Sequence, residues 1–124
     1  MLAAVTAAIF GFLGLVHFYW AAGGGTGKSA AIPEINGAQA FKPSRWATAG
    51  VGVVLLGTAA IVLMHVELLL ACAAAVLILR AIGDFRLVGF FKRHRDSRFA
   101  RMDTLLYSPL CLALGAALAV LAAS

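Results

Sequence analysis

A chain of 124 residues that is 63% apolar and only 12% charged, with a mean hydropathy of +0.98, is too apolar for a soluble domain, where about 25% of residues are charged. Its net charge of +5 would suit nucleic acid in a soluble protein. No folded basic module or aromatic stacking platform accompanies that charge, so no nucleic-acid partner is expected. The composition indicates one integral membrane domain, residues 1–124, with no room for a separate soluble module.

Four apolar stretches, over roughly 2–22, 46–66, 67–83 and 104–123, each approach the ~20 residues that a spanning helix needs. The first ends in His17-Phe18-Tyr19-Trp20, an aromatic run of the kind found where a membrane meets water. Its Gly11 and Gly14 would let another helix come close. Cleavage after Ala21-Ala22-Gly23 would leave three spans, but the amino terminus lacks the basic flank of a removed signal. Residues 23–45 read as a loop, with three glycines, Pro33, Asn36-Gly37 and Pro43 as turn formers. Ser44 is placed to cap the second helix and Trp46 to anchor it.

Gly50, Gly52 and Gly57 punctuate the second span, where small residues make packing surfaces. Only a few polar residues, His65 and Glu67 among them, separate it from the third. The second and third spans should therefore form a tight antiparallel hairpin. The third span is the shortest and carries Arg80 near its end. Phe85 to Met102 alternates apolar and basic residues, which suggests an amphipathic interfacial piece with a turn at Asp96-Ser97. In the fourth span Pro109 either kinks the helix or occupies its first turn after a Ser108 cap.

Charge gives these stretches a direction. Lys28, Lys42 and Arg45 follow the first span, and Arg80, Arg86, Lys92, Arg93, Arg95, Arg98 and Arg101 cluster around the end of the third and beyond it. In a four-span chain both groups share one face, which the positive-inside rule assigns to the cytoplasm. The expected fold is all-α: a four-helix transmembrane bundle with a basic cytoplasmic loop between helices three and four and both termini outside. Its basic flanks would meet anionic lipid headgroups.

Ala22-Gly-Gly-Gly-Thr-Gly-Lys28-Ser29 loosely imitates a phosphate-binding loop. That chemistry needs a buried strand before the loop and a helix after it. A spanning helix precedes it here, and Pro33 and Asn36-Gly37 follow. Cys72 and Cys111 sit at different depths of the third and fourth spans, so no disulfide is expected. His17 and His65 belong to opposite faces and His94 to the basic loop, so no metal or haem site is expected, nor any other cofactor.

The chemistry-bearing residues gather instead near one membrane boundary. His17 and Tyr19 come from the first span, Arg80 and Asp84 from the third, and Asp103 and Tyr107 from the start of the fourth. Arg80 and Asp84 are spaced i, i+4 and can pair on one helix face, as can Asp103 and Tyr107. Such a cluster either binds a polar headgroup and exchanges protons, or ties helix ends together.

Several strings carry a resemblance: His17-Phe18-Tyr19-Trp20-Ala21, Gly23-Gly24, Phe90-Phe91-Lys92, Arg98-Phe99-Ala100-Arg101-Met102-Asp103 and Tyr107-Ser108-Pro109-Leu110-Cys111. In these the chain resembles domain-of-unknown-function family 3995, small four-helix membrane proteins of bacteria. The resemblance implies a bacterial inner-membrane protein and supplies no activity. Three readings stand, in this order. The first is a structural or accessory membrane subunit, packed against itself or a partner. The second is a membrane enzyme or binding protein for a lipid or isoprenoid headgroup. The third is a small proton-coupled transporter, which would need a mid-membrane acid that the first span lacks.

Overall fold

A computed structural model describes residues 1–124, which are mostly helical. The long helices are α1 (Leu2–Ala21), α2 (Arg45–Met64), α3 (Glu67–Ile82) and α4 (Arg98–Ala123). By length and apolarity α1, α2 and α4 can each cross a membrane. Helix α3, at 16 residues, extends about 24 Å, short of a hydrocarbon core of about 30 Å.

Two helix pairs make up the molecule. Helix α1 packs along α2 and α3 along α4, while the pairs meet each other sparsely. Glycines select these partners. A Cβ on Gly52 of α2 would stand 3.1 Å from the Gly14 carbonyl oxygen of α1. One on Gly115 of α4 would stand 3.3 Å from the Ala74 carbonyl oxygen of α3. Backbones touch where side chains are missing, and dispersion along those seams replaces the hydrophobic drive that lipid removes. Gly11, Gly50 and Gly57 have open space before them and take no part in the seams.

The expected hairpin of α2 on α3 is therefore corrected. Their junction is tight, with left-handed His65 and then Val66 joining the helices. The two helices nonetheless touch little, because Gly52 of α2 is already seated on α1 and Ala74 of α3 on Gly115 of α4.

Phe10, Val62, Leu70, Ala74, Leu114 and Leu118 form a buried core contributed by all four helices. Only 24 of 124 residues are buried, while Phe12, Leu15, Val53, Val54, Leu63, Val76, Leu79 and Val120 stand exposed on the helix exteriors. An exterior this apolar suits hydrocarbon better than water.

The fourth helix starts at Arg98, not near residue 104. Ser97 caps it by accepting the Ala100 N–H at 3.0 Å, and the chain continues helically into the span. Residues Asp103–Tyr107 form a π-helical stretch, in which the Ser108 N–H reaches back to the Asp103 carbonyl oxygen. Pro109 follows at once. It has no N–H for the Leu105 carbonyl, and its ring crowds that oxygen, so a widened turn relieves the clash. Ser108 is thus a residue inside a continuous helix rather than a cap.

The loops are more built than a turn-former count implies. Residues Lys28–Ala31 make one 3-10 turn, and Glu34–Ile35 pairs antiparallel with Ala38–Gln39. Asn36 and Gly37 both have positive φ, 53° and 82°, as a two-residue type I′ hairpin turn requires. The segment from Phe85, expected as an amphipathic interfacial piece, is non-helical until Arg98. Gly83 and Gly89, both at positive φ, press backbone on backbone where no Cβ would fit. Phe90 then donates its N–H to the Ala81 carbonyl at 2.8 Å, folding the loop back onto α3.

Candidate functional site

That folded-back loop creates the site. It brings Gly89 and Lys92 against α4 at the level of Asp103, a carboxylate with no solvent exposure. Arg80, from the last turn of α3, donates Nη2–H to Asp103 Oδ1 at 2.7 Å. The Gly89 N–H donates to Oδ2 at 2.7 Å, and Lys92 Nζ stands 3.1 Å from the same oxygen. Lys92 also donates to the Gly89 carbonyl at 2.9 Å and to Thr104 Oγ1. Its side chain is fully buried.

One carboxylate thus faces two cations, and the cluster carries a surplus positive charge. Two buried polar atoms there lack hydrogen-bond partners: Arg80 Nη1 and Ser108 Oγ.

Of the six residues singled out from sequence, Arg80 and Asp103 are in direct contact. His17 and Tyr107 line, together with Arg80, a cavity of about 390 Å³ between the two helix pairs. The rest of its wall is apolar and includes Phe10 and Leu13 of α1, Leu55 of α2, Leu77 of α3, and Leu110 and Leu114 of α4. His17 places Nδ1 2.7 Å from the Leu13 carbonyl oxygen. A carbonyl only accepts, so Nδ1 carries the proton and Nε2 is the free nitrogen. Tyr107 donates to the Ala30 carbonyl at 2.9 Å and stacks obliquely with Phe99, fastening the first loop to α4.

Tyr19 and Asp84 lie apart from this group. Tyr19 donates its hydroxyl to Thr26 at 3.0 Å, and Trp20 Nε1–H donates to the Thr26 carbonyl at 2.9 Å. The glycine-rich string therefore wraps over the aromatic end of α1, with Gly24 against the Tyr19 ring. No strand precedes it, and only a four-residue 3-10 turn follows, so the geometry of a phosphate-binding loop is missing.

Asp84 does not pair with Arg80, as their spacing would allow. Helix α3 ends at Ile82, before the i+4 partner, and Asp84 Oδ1 instead accepts the N–H groups of Arg86, Leu87 and Val88 at 2.9, 2.8 and 3.2 Å. Slight burial pushes this carboxyl up, but the N–H donors of Leu87, Arg86 and Val88 outweigh it and hold Asp84 below the usual carboxylate range. Cys72 and Cys111 are free thiols, and no three His, Cys, Asp or Glu side chains gather as metal ligands would.

Lys92 and Gly89 were not singled out from sequence. Lys92 belongs to a basic run, which normally means a solvated face, and no continuous helix joins it to Asp103, so helical spacing cannot relate the two. A glycine inside the apolar run Leu87-Val88-Gly89-Phe90-Phe91 was the available signal, because a lone glycine there marks close backbone approach.

The family model described as Protein of unknown function (DUF3995) matches residues 10–118. The chain belongs to this family. No curated protein and no solved structure matches it. The part of this DUF3995 protein that matches includes the whole ionic cluster and both elements that clamp Asp103, namely the end of α3 and the folded-back loop.

Proposed function

We propose that this DUF3995 protein is a four-span protein of the bacterial inner membrane that serves as a structural or accessory subunit rather than as a catalyst. The observation that carries this reading is the commitment of Asp103, which is held by Arg80, Lys92 and the Gly89 N–H at once. A carboxylate clamped between two cations is a poor general base and a poor proton carrier, since protonating it would strand both charges in a low dielectric. His17 has no carboxylate partner to orient it for acid–base work. These features favour a cluster that fastens α3, the basic loop and α4 together, and they count against proton-coupled transport.

The membrane placement follows from the exterior and the charges. The Tyr107–Ala30 hydrogen bond ties the first long loop to α4 near the end where the second loop enters that helix, and all ten Lys and Arg residues are assigned to that end. It is assigned to the cytoplasm, with both termini outside and the basic residues against anionic headgroups. Helix α3 completes a fourth span with α4 beside it, since a short span is tolerated where neighbouring protein and snorkelling side chains cover the mismatch. The open faces of Gly11, Gly50 and Gly57 leave room for a partner helix or a second copy.

The test uses a protein with Cys72→Ala and Cys111→Ala. Cysteine at position 42 or 95 should resist an impermeant maleimide in spheroplasts until the membrane is opened, and cysteine at position 67 should react at once. Asp103→Asn should lower the amount of folded, inserted protein. Full folding combined with a selective loss of cellular function would instead favour a catalytic or transport role. A second reading, binding of a lipid or isoprenoid headgroup, is favoured by the cavity that Arg80, His17 and Tyr107 line.

A further inference from the structure

We infer that the cavity between the helix pairs binds a single-chain amphiphile with an anionic phosphate head, and that Arg80 recognises the head. This rests on the second reading above for the presence of a ligand and adds its charge class and its anchor.

Three observations converge. The cavity, about 390 Å³ with mostly apolar walls, falls in the range of about 300–1,000 Å³ typical of small-ligand sites. Its volume lies between two helix pairs whose backbones meet sparsely beside the shared core, a space where a chain would add dispersion contacts.

Charge is the second. Arg80 and Lys92 face Asp103 alone, so the cluster beside the cavity is one negative charge short. An uncompensated cation at the edge of a low-dielectric interior is costly, and an anionic group is its natural complement.

Third, Arg80 spends Nη2 on Asp103 and leaves Nη1 buried without an acceptor. A guanidinium presents paired N–H groups in a fixed fork, which suits a phosphate held beside the existing carboxylate contact. A neighbouring hollow of about 310 Å³ shares His17 and Trp20 with the cavity and carries Lys28 on its wall. It supplies a route of like charge from the basic end.

The test uses purified full-length protein in a neutral detergent with Trp46→Phe. Trp20, on the cavity wall, is then the sole tryptophan. Titration with dodecyl phosphate should change Trp20 emission saturably. Dodecanol should bind at least about tenfold more weakly, the cost expected for losing a charge-assisted hydrogen bond. Inorganic phosphate should produce no change. Arg80→Lys retains a cation for Asp103 but removes the second nitrogen, and it should weaken dodecyl phosphate by about tenfold without weakening dodecanol. Cys111→Phe fills part of the cavity and should weaken both amphiphiles.

Equal binding of dodecanol and dodecyl phosphate would overturn the anionic head while leaving a binding role standing. No response to any amphiphile would overturn both. A response to inorganic phosphate equal to that of dodecyl phosphate would overturn the apolar chain.

Discussion

At the scale of single residues, Asp103 is the side chain on which the basic cluster depends, because it is the one negative charge between buried Lys92 and partly exposed Arg80. Asp103→Asn should destabilise the protein by about 3 kcal/mol, the cost of leaving a buried partner charge unpaired. Thermal unfolding in detergent, followed by helical circular dichroism, would measure it. Lys92→Met in the Asp103→Asn background should recover part of that loss, since it removes one stranded cation.

Asp84 acts differently. Folding lowers its proton affinity, so its hold on the loop is complete above the unfolded carboxylate's titration near about pH 3.9. The hold is lost as pH falls through the lower folded value. The amide resonances of Arg86, Leu87 and Val88 should stay fixed from neutral pH to about pH 5 and move only below about pH 4. In Asp84→Asn that movement should vanish.

At the scale of elements, glycine position decides which helices meet. Gly52→Leu should wedge α1 from α2, because even a Cβ would stand 3.1 Å from the Gly14 carbonyl and the Phe18 ring. Gly57→Ala should be neutral or stabilise by up to about 1 kcal/mol, since open space faces it and alanine is the better helix former. A melting comparison of the two variants separates a seam glycine from a surface one. Within α4, Pro109→Ala gives the Leu105 carbonyl an N–H partner and lets the π-helical stretch relax to an ordinary α-helix. Residues before it would then rotate by about 100°, one α-helical residue step, carrying Asp103 away from Arg80 and Lys92. Removing a proline from this helix should therefore destabilise the protein, against the usual trend.

For the whole molecule, the division into two helix pairs makes their few links matter. Tyr107→Phe deletes the hydrogen bond to Ala30 that ties the first loop to α4. It should cost about 1 kcal/mol in detergent melts. It should also raise backbone exchange in residues 28–31 more than inside either helix pair, measurable by hydrogen exchange. Restraint of that same link by a ligand between the pairs would lower exchange there.

Four apolar helices, the bounds of the first three to within a few residues, and the Ser44 cap were legible in the chain itself. Such features follow from local quantities: apolar run length, turn chemistry and charge count along a helix. Helix partners were not legible, because Gly11, Gly14, Gly50, Gly52 and Gly57 look alike in a sequence and only the three-dimensional crossing chooses Gly14 and Gly52. Nor was the partner of Arg80, since the i, i+4 rule pointed to Asp84 on the assumption that α3 continues. The helix stops at Ile82, two positive-φ glycines fold the loop back, and Lys92 is carried to a carboxylate 11 positions further on. Long-range pairing of this kind depends on where the backbone turns in space. No periodicity records it, and the tertiary structure alone decided it.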